Sequence, residues 1–424
     1  MLHVEKFNEK MCEFIAQKTS VKMLDKEDYS DFLNHEFSDI LIRKSFEKDV
    51  MRDNGCFFTG TKLAKHLFNE VVVSESNSFV FLDPTCGLGN LLVEASKFLP
   101  TEKSLSKTLK SWGKSLVGYD IFPDFIKATK LRIILEALSR GVKNDCSLDI
   151  ALSLLYRIEK KNVMSLGSQE VKDITHAVLN PPFANWESPV INYWKKGKVN
   201  SAGIIIDHLT RIFPKETIIL SILPDVLRSG SRYKEFREFI ESEICGKVEI
   251  WGKFSPKTDV DVFVFKGKKI ARKTSIDWNI NSQSGEKLED YYNISTGPLV
   301  AYRDPDEGVD APYLHQKNAP TGVIIDEIKE RRKFRGRLTT PPFVVIKRTS
   351  SPRDKIRASA TLINCIHPVA VENHLIILSP KDNSIEKCIK LLDLLLSEQT
   401  TNYLNERIRL RHLTVAAIKE IPFK

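Results

Sequence analysis

Cysteine is scarce and unpaired in this chain: seven among 424 residues, at positions 12, 56, 86, 146, 245, 365 and 388. The number is odd and no spacing suits a metal knuckle, so the reduced thiols of a cytoplasmic protein are expected. No metal site is expected either. No apolar run approaches the length that crosses a bilayer, which excludes a membrane helix. Residues 1–10 are charged and no apolar stretch follows, so no signal peptide is expected. There is no internal repeat. Also missing, near the motifs described below, is any Ser/His/Asp or Cys/His arrangement for nucleophilic catalysis.

What is present begins with charge. The formal net charge is +9, and it is concentrated: residues 321–360 hold eleven Lys or Arg against four Asp or Glu, a net +7. The cluster comprises Arg331, Arg332, Lys333, Arg335 and Arg337, followed by Lys347, Arg348, Arg353, Lys355 and Arg357. A solvated basic face would look the same, but this density beside the turn residues 349–352 suits contact with a phosphate backbone. A further basic patch lies at 407–411.

Asn180-Pro181-Pro182-Phe183 is the most informative string. Ala177-Val178-Leu179 reads as a buried strand, ended where two prolines forbid its continuation. A carboxamide, a carbonyl and an aromatic ring are thereby fixed on one turn. An amide oxygen and a carbonyl can both accept from one amino group while the ring stacks on the heterocycle that carries it. The plainer reading is a strand-ending turn and nothing more.

Upstream, residues 79–92 read as a strand, a short loop and a helix, with Gly87 and Gly89 in the loop. Glycine there permits positive φ and close approach of a ligand. Asp83 at the strand end can accept from a cationic amine. No Lys-Ser/Thr follows the glycines, which argues against a phosphate-binding loop. The next strand, 115–119, is closed by Asp120, a carboxylate placed to accept from ribose hydroxyls; capping the helix at 123–138 is its alternative role. The separation of Asp83 from Asp120 is long, and residues 100–114, rich in Lys and Ser, read as an inserted surface loop.

Together these motifs resemble the DNA methyltransferases that modify the N6 amino group of adenine, in the subgroup whose recognition domain follows the catalytic one. The likeness covers about residues 55–270. It implies that Asp83-Pro84-Thr85-Cys86-Gly87-Leu88-Gly89 is the S-adenosylmethionine loop, and that Asn180, Pro181, Pro182 and Phe183 are the catalytic motif. Phe57-Phe58-Thr59-Gly60 resembles the segment over the cofactor's methionine part, with Gly60 where the family often has proline. The cofactor residues implied are thus Thr59, Asp83, Pro84, Cys86, Gly87, Gly89, Asp120, Ile121, Asn162, Val163 and Asn180. Asn162 falls where the family usually has aspartate, and its amide oxygen can still accept. Phe254 matches a second aromatic that packs on the extruded base beside Phe183.

The expected fold is α/β: a Rossmann-like S-adenosylmethionine-dependent methyltransferase domain, mostly parallel with an antiparallel last strand, plus a C-terminal α+β target-recognition domain. Residues 1–50 read as a helical extension, 51–270 as the catalytic domain and 290–424 as the recognition domain, with a long core helix over 384–404. Asp326-Glu327-Ile328-Lys329, which superficially suggests a fused nuclease, reads as helical instead. The partners expected are duplex DNA and a separately encoded restriction endonuclease, with no membrane, for a monomer or weak dimer. An RNA amino-group methyltransferase and a non-catalytic DNA-binding assembly subunit are the competing readings.

Overall fold

A computed structural model describes residues 2–17, 27–37, 40–41, 59–69, 71, 79–189, 193–255, 258–270, 272–278 and 285–423. The chain divides into two compact units, one of residues 1–228 and 232–278, the other of 229–231 and 279–424.

The first unit opens with helices α1 (Leu2–Gln17), α2 (Glu27–Leu33) and α3 (Thr61–Phe68). Strand β1 (Phe81–Asp83) then leads into α4 (Asn90–Ser96), and α5 (Leu105–Ser115) into β2 (Leu116–Asp120). Next come α6 (Pro123–Ser139), α7 (Leu148–Leu154), β3 (Ile158–Lys160) and β4 (His176–Leu179). A small hairpin, β5 (Asn185–Glu187) and β6 (Lys198–Asn200), precedes α8 (Ser201–Ile212). The unit ends with β7 (Ile218–Pro224), β8 (Ile244–Ser255) and β9 (Thr258–Lys269).

These strands form one seven-stranded sheet in the order β3-β2-β1-β4-β7-β9-β8. The first five are parallel, and β9 is antiparallel to both β7 and β8. Short, wholly apolar strands such as Leu116-Val117 and Ala177-Val178-Leu179 are what a sheet covered on both faces requires. Helix α6 is buried over most of its length because it is covered twice, by β2 and β3 on one side and by α1 and α2 on the other. Helix α1 meets it with a stripe at helical spacing: Val4, Phe7, Met11 and Ile15 are all buried.

One expectation fails here. Residues 100–114 are not a surface loop: most of them form α5, which buries Leu105, Leu109 and Trp112. Serines and lysines on its outer face hide that stripe. Trp112 Nε1 donates to the Pro100 carbonyl at 2.8 Å, closing the corner before the helix.

The second unit contains a five-stranded sheet and a three-stranded one. Its strands are β10 (Tyr292–Thr296), β11 (Val309–Leu314), β12 (Ile324–Ile325), β13 (Arg331–Phe334), β14 (Phe343–Lys347), β15 (Ala360–Ile363), β16 (Ala370–Val371) and β17 (Leu375–Pro380). The sheet orders are β10-β17-β14-β15-β12 and β13-β11-β16. Alternate residues of β14 and β17 enter different cores. Val344, Ile346, Ile376 and Leu378 join one with the C-terminal helices, while Phe343, Val345, Leu375 and Ile377 join the other.

Two more readings are corrected in this unit. The single helix expected over 384–404 is two, α9 (Ile385–Leu396) and α10 (Glu398–Arg407). Ser397 ends the first and caps the second, its side chain accepting from Thr400 N at 3.1 Å. Asp326-Glu327-Ile328-Lys329 is not helical but lies in the connection between β12 and β13.

Candidate active site

The sheet order reverses direction between β1 and β4, where crossovers leave in opposite senses and a crevice opens at the carboxyl ends of the strands. A cavity open to solvent occupies that position. Three strand ends each bring a polar side chain to its wall: Asp83 from β1, Asp120 from β2 and Asn180 just past β4.

The glycine loop is anchored at both ends. Cys86 N donates to the Tyr119 carbonyl at 2.9 Å and Gly89 N to the Cys86 carbonyl at 2.8 Å. Gly87 has φ of 52° and Gly89 of 81°. At Gly89 a Cβ would also come within 2.8 Å of Thr129 Cγ2, so a side chain is excluded by conformation and by space. Thr129 Oγ1 donates to the Gly87 carbonyl at 2.9 Å, tying the loop to α6.

Asp120 has two backbone donors. Gly87 N reaches Oδ2 and Phe122 N reaches Oδ1, each at 3.0 Å. It therefore both fastens the glycine loop and closes the turn that enters α6. Asp83 is buried and accepts from Thr85 N at 3.2 Å. Burial pushes its carboxyl up to about 8 against that N–H, with the Asp120 charge adding to the rise. Burial also raises the Asp120 carboxyl and takes the Cys86 thiol well above its ordinary range. Cys86 is thus a small packing group rather than a nucleophile.

The Asn-Pro-Pro-Phe turn is held from behind by the start of α8. Ser201 Oγ donates to the Pro182 carbonyl at 2.5 Å, and Asn200 Nδ2 to the Phe183 carbonyl at 3.2 Å. Asn180 Nδ2 donates to Thr59 Oγ1 at 3.0 Å. Phe183 and Phe254 are both buried and meet edge to face, centroids 5.8 Å apart at 87°. Phe254 therefore braces the Phe183 ring rather than lying parallel to it.

Of the residues expected to hold a cofactor, Thr59, Asp83, Pro84, Cys86, Gly87, Asp120, Ile121, Asn162, Val163 and Asn180 line the cavity, and Gly89 does not. Pro182 lines it as well, whereas Pro181 and Phe183 lie outside that lining. Asn162 spends its amide oxygen on Met164 N at 2.9 Å. Phe57 and Phe58 fall outside the described residues. Sequence reasoning did not assign Thr85, Asn90, Leu91, Trp186, Ile205, Phe122, Phe125 and Lys161, which also line the cavity. Phe122 adjoins Asp120-Ile121 and Trp186 follows Phe183 by three residues, so proximity to a motif was the available signal.

The basic residues of the second unit sort differently from expectation. Arg331, Lys333, Arg335, Arg337, Arg353 and Lys355 are exposed, while Arg332, Lys347 and Arg348 are half-buried. Arg331 pairs with Asp310 and Arg335 with Glu307, each at 2.7 Å. Arg332 donates to the carbonyls of Ala301 and Asp304. Arg357 is corrected outright: it is fully buried, and its guanidinium donates to the carbonyls of Ser350, Ile408 and Leu410. It is a structural hub, out of reach of a polyanion. Arg407, in the C-terminal basic patch, is paired with Glu420 at 2.5 Å.

A mostly parallel sheet with an antiparallel β9, two carboxylates at neighbouring strand ends and a glycine loop between them match the fold of S-adenosylmethionine-dependent methyltransferases. Residues 33–200 match the family described as N-6 DNA Methylase. No curated protein sequence matches the chain. Among solved structures, the DNA complex of the type IIL restriction-modification enzyme MmeI aligns with 91% of this chain and 70% of its own, at 10% identity and a TM-score of 0.53. The type IIG restriction endonuclease BpuSI aligns with 91% of this chain at 13% identity and a TM-score of 0.43. A modification subunit of a putative type I restriction enzyme from Vibrio vulnificus YJ016 aligns with 60% of it at 15% identity and a TM-score of 0.39. This chain spans 60% of the BpuSI chain and 52% of the Vibrio subunit.

The family implies S-adenosylmethionine, and the cavity fits it. The positive-φ glycine gives backbone access, and the buried Thr85 Oγ1, without a hydrogen-bond partner, offers a polar atom at the wall. Asp83 is a carboxylate buried without a basic partner among its electrostatic neighbours, a site that a cationic ligand relieves. Asp120 suits ribose hydroxyls, and Ile121, Phe122 and Val163 provide apolar walls for a purine. Among the described residues no helix is long and apolar enough to cross a membrane.

Proposed function

We propose that this chain transfers a methyl group from S-adenosylmethionine to the N6 amino group of an adenine turned out of duplex DNA, as the modification activity of a restriction-modification system. The observation that carries the reading is the placement of Asn180 at the end of β4, on the wall of the same cavity as Asp83 and Asp120. Acceptor and cofactor groups thereby share one crevice. MmeI, which has the same fold, was solved bound to DNA, in keeping with a duplex substrate.

When bound, S-adenosylmethionine supplies an electrophilic methyl on a sulfonium. The chain's own contribution is to present a poor nucleophile well. Adenine's amino lone pair is delocalised into its ring; Asn180 Oδ1 and the Pro181 carbonyl would accept hydrogen bonds from its two N–H groups and favour a pyramidal nitrogen. The cofactor would supply its methyl carbon to that nitrogen, with its sulfur as the leaving group that keeps the carbon–sulfur electron pair. The acidic methylated cation then releases its proton without a strong base. Proximity and alignment provide much of the acceleration.

A stacked base cannot reach this crevice, so the reading requires extrusion from the duplex. Phe183, braced by Phe254, is the platform that offsets lost stacking, worth about 1–3 kcal/mol per aromatic. Transfer of labelled methyl to duplex DNA, with ribosomal RNA as the control, tests the substrate. Asn180→Ala should slow transfer about a hundredfold or more, the scale seen when one preorganised group at a reacting centre is deleted. Duplex affinity should hardly change. Full turnover by Asn180→Ala would sink the assignment.

A further inference from the structure

Asn180 belongs to a hydrogen-bonded line that runs through the protein interior. Its Nδ2 donates to Thr59 Oγ1 at 3.0 Å, and the Thr59 carbonyl accepts from Asn90 Nδ2 at 2.8 Å. Asn90 Oδ1 accepts from Arg132 Nη1, which also donates to the Leu88 carbonyl at 2.6 Å. Arg132 Nε donates to the Phe32 carbonyl at 2.9 Å, and Nη2 meets His35 Nδ1 at 3.1 Å. His35 Nε2 lies 2.9 Å from Glu94 Oε1. Thr59, Asn90, Arg132 and His35 are all buried.

The directions along this line are forced from Arg132 as far as the Thr59 carbonyl, and beyond it the Thr59 hydroxyl accepts from Asn180. Arginine has donors only, so Asn90 must turn its oxygen to Arg132 and its amino group to Thr59. The Thr59 backbone is thereby fixed, and its hydroxyl stands beside Asn180 at the cavity wall. A hydroxyl has one proton and two lone pairs, so it can donate into the cavity and accept from Asn180 together. The two edges of a carboxamide have nearly the same shape but opposite hydrogen-bonding character. A flipped Asn180 would confront an amino group with another amino group.

We propose that Thr59 is a positioning residue that selects the orientation of the Asn180 carboxamide, with Arg132, through Asn90, holding Thr59 in place. The role is separate from lining the cofactor cavity and rests on the methyl-transfer reading above. It also makes α6 and the segment after α2 part of the support of the reacting group.

The test is single-turnover methyl transfer at saturating S-adenosylmethionine and duplex, with the cofactor Kd measured alongside by calorimetry. Thr59→Val keeps the side chain's shape and removes its hydroxyl. It should be roughly tenfold slower, the rate equivalent of one well-placed hydrogen bond. Thr59→Ser should recover most of the rate. In an Asn180→Ala background, Thr59→Val should cost nothing further, because the group it orients is gone. The proposal is overturned if Thr59→Val matches the unaltered chain, is slow only below cofactor saturation, or costs its full tenfold without Asn180. Asn180→Ala alone separates the two ideas: full activity there defeats the methyl-transfer reading itself, whereas its loss beside an active Thr59→Val defeats only the positioning role.

Discussion

Asp83 shows how one buried carboxylate ties the cavity to pH. Its pKa in the folded chain, about 8, stands above its ordinary value of 3.8. The folded state therefore favours the protonated form. Its contribution to stability is complete below about 3.8 and is lost as pH rises toward 8. A cationic ligand favours the carboxylate, so binding S-adenosylmethionine should expel a proton below pH 8 and tighten as pH rises from 6 to 7.5. The Kd should fall by up to about tenfold per pH unit, with a binding enthalpy that depends on the buffer's ionisation heat. Asp83→Asn should flatten both trends; an unchanged slope would remove Asp83 from the cofactor's reach. Much of this site was legible at the residue scale, because Asp83, Asp120 and Asn180 each close an apolar run. Trp186 and Ile205 were not, because a wall residue is selected for shape, and shape depends on which helix arrives opposite.

Elements were legible where one period dominates and illegible where composition masks it. Ala177-Val178-Leu179 and Leu116-Val117 announce buried strands, and α6 carries the apolar run Ile133-Ile134-Leu135. Helix α5 hides Leu105, Leu109 and Trp112 among lysines and serines that face outward. Ser397 interrupts an otherwise continuous pattern with a cap that looks like one more polar position. Charge density was equally blind to Arg357, whose burial comes from carbonyls of distant segments converging on one guanidinium. The α5 correction carries its own test. Trp112 is fully buried, donates to Pro100, and has Arg140 over its ring at 5.4 Å. Trp112→Ala should cost about 3–5 kcal/mol. A surface-loop residue would change stability by only about 0.5 kcal/mol or less. Calorimetry on the full chain can read this, since the transition that S-adenosylmethionine raises identifies the first unit.

At the scale of the whole molecule, the two units divide the chemistry. The cavity and its hydrogen-bonded supports belong to the first, and the densest basic cluster, within residues 321–360, to the second. If the second unit holds the duplex, its contribution should appear as counterion release, with cofactor binding unaffected. Lys333, Arg337 and Lys355 are exposed and, among the described residues, form no ion pairs, so they are the side chains best placed for phosphate. Replacing all three by Gln should make the dependence of log K on log salt shallower by about one per lost contact. Arg357→Gln should behave oppositely. Leaving three buried carbonyls without their donor, it should lower the melting temperature of the second unit while the salt slope of the chain that remains folded is kept. Fluorescence titration of a labelled duplex across a salt series distinguishes the two. A slope that does not respond to the triple replacement would move the duplex off this face and return its basic residues to the role of a solvated surface.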